Sequence, residues 1–142
     1  MSREALARVT QFWEQLTPER VERLEEVYGD GAYFRDPFNE VHGTAEIKRI
    51  FRHMFETLHE PRFTIREAML EGASAVLVWD FDFRIASLAP GRTRRIHGAS
   101  HLRFSADGRV DYHRDYWDAA GELYAQLPLI GALMRWLKKR MG

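Results

Sequence analysis

A histidine and an aspartate two residues apart, His113 and Asp115, form the most chemically suggestive pair in the sequence. On a strand, residues two apart project from the same face, so an imidazole and a carboxylate would stand side by side with Trp117 beyond them. Such a pair can relay a proton near neutral pH, where histidine changes charge. The same spacing also serves as a plain hydrogen-bonding contact, and Asp115 can equally satisfy an arginine or an indole N–H. Asp36, in Phe34-Arg35-Asp36-Pro37-Phe38, is the second carboxylate of interest. At the mouth of an apolar cavity, desolvation would disfavour its charge and bring it toward the working range of a general base. Its other reading is an Asp-Pro turn at a strand end, with the side chain accepting a backbone N–H.

The elements that must position these groups follow from hydrophobic periodicity. Leu6, Val9, Phe12, Trp13 and Leu16 recur at helical spacing over residues 4–16. Thr17-Pro18 offers a cap and a proline at a first helical position, and Val21, Leu24, Val27 and Tyr28 continue a second helix up to Gly29 and Gly31. A short extended run, Tyr33 to Pro37, leads to a third helix with Ile47, Ile50, Phe51, Met54, Phe55 and Leu58 on one face, stopped by Pro61. The period then becomes two. After a strand around Phe63 and Ile65 and a Glu71-Gly72 turn, Ala75, Leu77, Trp79, Phe81, Phe83 and Ile85 share one strand face, while Asp80, Asp82 and Arg84 share the other. A turn at 88–91 and a tight Ala106-Asp107-Gly108 connection delimit strands near 94–105 and 109–117, and Asp118 can cap a short helix. The segment 129–140 reads as an additional amphipathic helix, basic at Arg135, Lys138, Lys139 and Arg140. Its cations complement a helix C-terminus, which favours docking on its own domain or a dimer partner over a membrane surface.

Composition narrows the chemistry. With 142 residues, 45% hydrophobic, the chain reads as one domain, 1–142, and the 13% aromatic content suits a filled core or the walls of an apolar cavity. The absence of cysteine removes thiol nucleophiles, thiolate metal sites and iron–sulfur clusters, and with no export signal the expected compartment is cytoplasmic. Lys+Arg 21 against Asp+Glu 21 leaves no basic field for nucleic acid. His97 and His101 share a strand face roughly 13 Å apart, at about 3.3 Å per residue, too far for one ion. No metal and no cofactor are expected, since phosphate-binding glycine loops, dinucleotide fingerprints and serine elbows are all missing.

Helices followed by a meander of strands make an α+β fold. The element order, the Phe34-Arg35-Asp36-Pro37-Phe38 segment followed by Gly43 and a helix, and the late Gly108-Arg109-Val110 turn with His113-Arg114-Asp115-Tyr116-Trp117-Asp118 resemble the nuclear transport factor 2-like superfamily over residues 4 to 127. The resemblance implies a strongly curved antiparallel sheet wrapped by N-terminal helices into a cone with an internal pocket. It covers ketosteroid isomerases, limonene-epoxide hydrolases and SnoaL-type polyketide cyclases, so chemistry has to be argued from the pocket itself.

By likeness to the isomerases Asp36 would be the general base. The two donors that hold the enolate oxygen there, a helix-one tyrosine and a protonated aspartic acid, correspond to Phe12 and Ser100 here. Losing one such donor costs on the order of 10² to 10³ in rate, so steroid isomerisation is not expected. By likeness to the hydrolases Asp115 would be a catalytic acid, but the positions for the accompanying arginine and second acid read Phe81 and Phe83. Asp80, Asp82 and Arg84 lie one residue out of phase, which on a strand is the opposite face unless a bulge intervenes. The resulting expectation is a small-molecule acid/base enzyme of isomerase, cyclase or hydrolase type. Asp36 would be its base and Asp115 with His113 its acid or water-positioning pair. Phe12, Phe34, Trp79, Phe81, Phe83, Ser100 and Trp117 would line a cavity for a small apolar aromatic or terpenoid-like molecule. A homodimer is expected, and the alternative is a non-catalytic ligand-binding or dimerisation module.

Overall fold

The computed structural model describes residues 2–85 and 92–122, with 136, 137 and 139–141. The expected turn at 88–91 and most of the expected helix at 129–140 lie outside the described residues. The elements run α1 (Ser2–Glu14), α2 (Pro18–Val21), a 3-10 turn (Leu24–Glu26), β1 (Tyr28–Arg35), β2 (Glu40–His42), α3 (Thr44–Thr57), β3 (His59–Glu71), β4 (Ser74–Arg84), β5 (Arg94–Phe104), β6 (Val110–Trp117) and α4 (Ala119–Glu122).

α1 buries Ala5, Val9, Phe12 and Trp13, the stripe that its spacing predicts. Where it crosses β3, Glu14 accepts the Ile65 amide at 3.1 Å, beside the point where β3 slips register against β4 between Ile65 and Glu67. Thr17 caps α2 by accepting the Arg20 amide at 3.2 Å, with Pro18 at the first helical position. The second helix ends far sooner than its periodicity suggests. It is one turn, followed by the 3-10 turn, and Tyr28 with Gly29 and Gly31 belongs to β1. Helix propensity loses here to sheet pairing: β1 lies parallel to β6, with Tyr28 opposite Val110 and Phe34 opposite His113, and Tyr28, Ala32 and Phe34 bury their side chains.

The sheet is curved and unclosed, mostly antiparallel, in the order β2-β1-β6-β5-β4-β3, and β1–β6 is its parallel pair. On β4 the inner face carries Ala75, Leu77, Trp79, Phe81 and Phe83, all buried. Fully buried side chains such as Val9, Tyr28, Phe34, Ile47, Leu77 and Leu102 tie α1, α3 and the sheet into one core, each contributing roughly 1.5–3 kcal/mol. The outer face of the same strands is an ion-pair lattice. Asp80 receives Arg66 at 2.8 Å and His97 at 2.8 Å, and Asp82 receives Arg95 at 2.7 Å. These partners hold the Asp80 carboxyl below its ordinary value, the His97 hydrogen bond most strongly and Arg66 next. β4 and β5 pair without a bulge, so Asp80, Asp82 and Arg84 stay on this outer face, away from Phe81 and Phe83.

Candidate active site

One end of the core is polar by construction. Ser100 on β5 stands directly opposite Asp115 on β6, and its hydroxyl donates to Asp115 Oδ1 at 2.5 Å. Trp79 on β4 is paired with Gly98, and its Nε1–H reaches diagonally to Ser100 Oγ at 2.9 Å. That reach depends on glycine: a Cβ at position 98 would lie 2.7 Å from the Trp79 ring and 2.9 Å from Trp117 Cβ. From the other side, His113 places Nε2 2.6 Å from Asp115 Oδ1 and Nδ1 2.6 Å from the Tyr28 hydroxyl. That hydroxyl accepts the Trp13 Nε1–H at 3.0 Å.

Donor accounting fixes the direction of this chain. The Asp115 carboxylate can only accept, so the imidazole donates to it from Nε2, and in a neutral ring Nδ1 then accepts the Tyr28 hydrogen while that hydroxyl accepts from Trp13. The imidazole proton therefore sits on Nε2 and points at Asp115. Every hydrogen bond runs one way, from Trp13 through Tyr28 and His113, and from Trp79 through Ser100, to a single carboxylate oxygen. Oδ2 accepts none among the described residues. The network is buried: Tyr28 is 0% exposed, and Ser100 and His113 are each 3% exposed. Burial pushes the Tyr28 phenol well above its ordinary value, the nearby Asp115 charge adding to the effect, which keeps it a donor.

Asp115, His113 and Ser100 line a pocket whose other walls are Trp13, Phe51, Phe63, Trp79, Ile65 and Leu77. Its cavity volume is about 20 Å³. That is room for roughly one water molecule.

Of the expected lining residues Trp79 and Ser100 are in the wall, and Phe12, Phe34, Phe81, Phe83 and Trp117 are not. Phe34 packs on the His113 ring at 4.8 Å between centroids, and Phe12 packs on Trp13 at 5.3 Å and on Tyr28 at 6.5 Å, so both support the network from inside the core. Phe81 stacks on Phe63 at 4.4 Å and on Phe83 at 5.1 Å, behind the pocket wall. Trp117 meets Phe38 at 5.6 Å. Asp36 takes the turn role: its Oδ1 accepts the Phe38 and Asn39 amides at 2.8 and 2.7 Å, and the Asn39 side chain bonds both oxygens. It is absent from the pocket walls. Burial raises its pKa against the pull of those donors, and the Asp115 charge raises it further, which places the two carboxylates within electrostatic reach.

Tyr28, Phe63 and Phe51 are site residues that periodicity alone does not reveal, because Tyr28 reads as helical and the other two as ordinary core. Arg94, 5% exposed on the inner face of β5, is a second omission; it sits opposite Phe83, six residues from Ser100, and does not line the pocket. Among the described residues no group of three or more His, Asp or Glu side chains is arranged to hold a metal ion, and no helix is long and apolar enough to cross a membrane.

Known proteins with this architecture carry different chemistries. An LEH-like epoxide hydrolase of M. tuberculosis superposes with a TM-score of 0.69 at 20% identity, over 84% of this chain and 86% of that one. A ketosteroid isomerase-like protein of Catenulispora acidiphila, in complex with trimethylamine, gives 0.72 at 16% identity over 88% and 94%. A candidate SnoaL-like polyketide cyclase of Shewanella putrefaciens gives 0.68 at 18% identity over 88% and 97%. At these identities the likeness establishes the fold alone. No curated protein matches the sequence. Residues 9–113, which carry every strand of the pocket up to His113, match the SnoaL-like domain, and the chain belongs to that family.

Proposed function

We propose that this pocket performs acid–base chemistry on a small, largely apolar substrate, with Asp115 as the proton acceptor through Oδ2. The observation that carries the reading is the convergence of two donor chains on Oδ1. Two hydrogen bonds fix the carboxylate's orientation without using the oxygen that remains, and the aromatic walls exclude the water that would otherwise solvate a base. Asp115 would take a proton from a substrate carbon and return it elsewhere, as an isomerase or cyclase does, or from a water attacking a polarised ring, as a hydrolase does. His113 and Tyr28 act as positioning residues in this scheme: the imidazole holds Oδ1, and the phenol holds the imidazole's tautomer. Asp36 keeps its turn role in this scheme, and its charge and that of Asp115 act on each other electrostatically.

The volume narrows the expected substrate. At about 20 Å³ the cavity has room for roughly one water, so a steroid is excluded and even a small substrate has to part the aromatic walls to reach Asp115. The narrowness also favours a second reading, a ligand-binding module without turnover.

A panel of small epoxides and 1,3-dicarbonyl compounds separates the two. Turnover that falls by about 10² to 10⁴ in Asp115→Asn is expected for a general base. Full activity in that variant would overturn the assignment, and saturable binding of panel members with no turnover would leave the binding module.

A further inference from the structure

We propose that the outer face of the sheet docks a second copy of this chain, the two copies being related by a two-fold axis that runs along the strands over β5. The inference lies beyond the pocket: it gives a partner to the face opposite the one that carries Asp115.

The first observation is the division of charge that strand pairing sets on this face. Across the sheet, register lines up Glu40, Arg35, Arg114, His101, Val76 and Met69 in one row. The row on one side carries Tyr112, Arg103 and Glu71, and the row on the other carries Tyr116, Val78 and Glu67. The β1 and β6 half is therefore basic at Arg35 and Arg114, β4 is apolar at Val76 and Val78, and the β3 edge is acidic at Glu67 and Glu71. Two charges that break the division are already engaged: Glu40 accepts the Tyr33 hydroxyl at 2.6 Å, and Arg66 is held by Asp80 in the lattice that lies beyond Val78. Among the described residues Arg35, Arg114, Glu67 and Glu71 form no ion pair. A half-turn about an axis along the strands exchanges β6 with β4 and β1 with β3, so the basic half of each copy meets the apolar and acidic half of the other. A nucleic acid or an anionic membrane would meet the acidic edge along with the basic half, whereas a second copy satisfies both.

The second observation is apolar surface on the same rows. Met69 and Tyr116 are each 49% exposed, and both long helices, α1 and α3, bury their stripes on the inner face. A groove of about 450 Å³ has Met69, Val76 and His101 in its walls. Tyr116 stands on the other half, with the Arg114 guanidinium 4.8 Å from its ring centroid, and the half-turn brings this ring of one copy over β4 beside the groove of the other. Six strands about 4.8 Å apart and roughly 30 Å of strand length make a face on the order of 700 Å², the scale of the about 800 Å² that a stable pair buries on each partner.

Two double variants of the full chain make the test, Arg35→Glu with Arg114→Glu and Glu67→Lys with Glu71→Lys, read by sedimentation velocity across micromolar concentrations. The wild type is expected to dimerise. The first variant carries acid on both halves and the second carries base on both, so each alone meets like charge across the axis and should dimerise at least about 100-fold more weakly. Mixed in equal amounts, they restore both attractive contacts, and the mixed pair should form within about tenfold of the wild-type affinity. Far-ultraviolet circular dichroism checks that each is folded; should either fail, Arg114→Glu and Glu71→Lys alone repeat the mixing with smaller effects of the same sign. A monomeric wild type, which would leave the face to a different protein or to solvent, would overturn the proposal. So would a variant that dimerises as the wild type does, or two folded variants whose mixture stays monomeric.

Discussion

Asp36 shows how one residue type can answer two sequence readings. A carboxylate before proline satisfies either a turn or a proton transfer, and the structure gives it the turn: two amides and an asparagine converge on it. The turn chemistry was legible because Asp-Pro needs only local backbone geometry. Whether the side chain also faced a cavity was not, since that depends on where β6 lies. A consequence separates structure from charge. Burial makes the folded state hold the Asp36 proton more tightly than the unfolded chain does, so its ionisation opposes folding as pH rises through and above the ordinary carboxylate value of 3.8. Asp36→Asn keeps an oxygen for the two amides and removes the charge. Urea unfolding at pH 7 should find it as stable as the wild type or more so, whereas Asp36→Ala should lose about 1–2 kcal/mol with its hydrogen bonds. His113 and Asp115 were readable from spacing alone, and they do share a face and a hydrogen bond. Tyr28, which donates to the imidazole, was hidden by a helical run that continues through Val27.

At the scale of elements, strands with one buried face were the easiest to read. The alternation through β4 placed Trp79, Phe81 and Phe83 inward and Asp80 and Asp82 outward, and β5 and β6 ended within a residue of expectation. Of β1 only the end, from Tyr33, was readable; its start at Tyr28 was not, because its glycines mimic a helix stop and its partner lies far along the chain. The glycine that matters most for the pocket is Gly98, which lets the Trp79 indole lie flat across β5. Gly98→Ala is expected to push that ring off Ser100. Overpacking of this kind costs about 1–3 kcal/mol, and thermal unfolding together with the near-ultraviolet circular dichroism of the tryptophans checks both parts. An unchanged aromatic spectrum would show that the indole does not depend on the glycine.

The whole molecule divides its two sheet faces between different tasks. The inner face carries the core and the pocket, and the outer face of β3, β4 and β5 is charged and paired, with Asp80 7% exposed beneath Arg66, Arg95 and His97. Because the folded value of Asp80 lies below its ordinary 3.8, the pair stabilises the protein above that pH and the contribution disappears as pH falls through the lower folded value. Acid unfolding should therefore be steeper below about pH 4 in the wild type than in Asp80→Asn, compared as unfolding free energy against pH. Parallel slopes would remove Asp80 from the account. No local pattern announced this burial, since a row of alternating charges on a strand reads as solvated until its neighbours are known.

The parallel seam between β1 and β6 also governs how the chain is made. The bond from Tyr28 to His113 spans 85 positions, so on a ribosome adding about 5–20 residues per second the early strand waits on the order of 4–17 seconds for its mate. During that interval β3, β4 and β5 can pair with one another, while β1 has only β2 beside it until β6 is made. Among the described strands β6 is the last to be made, and its arrival joins the β1–β2 pair to β5 and completes the sheet.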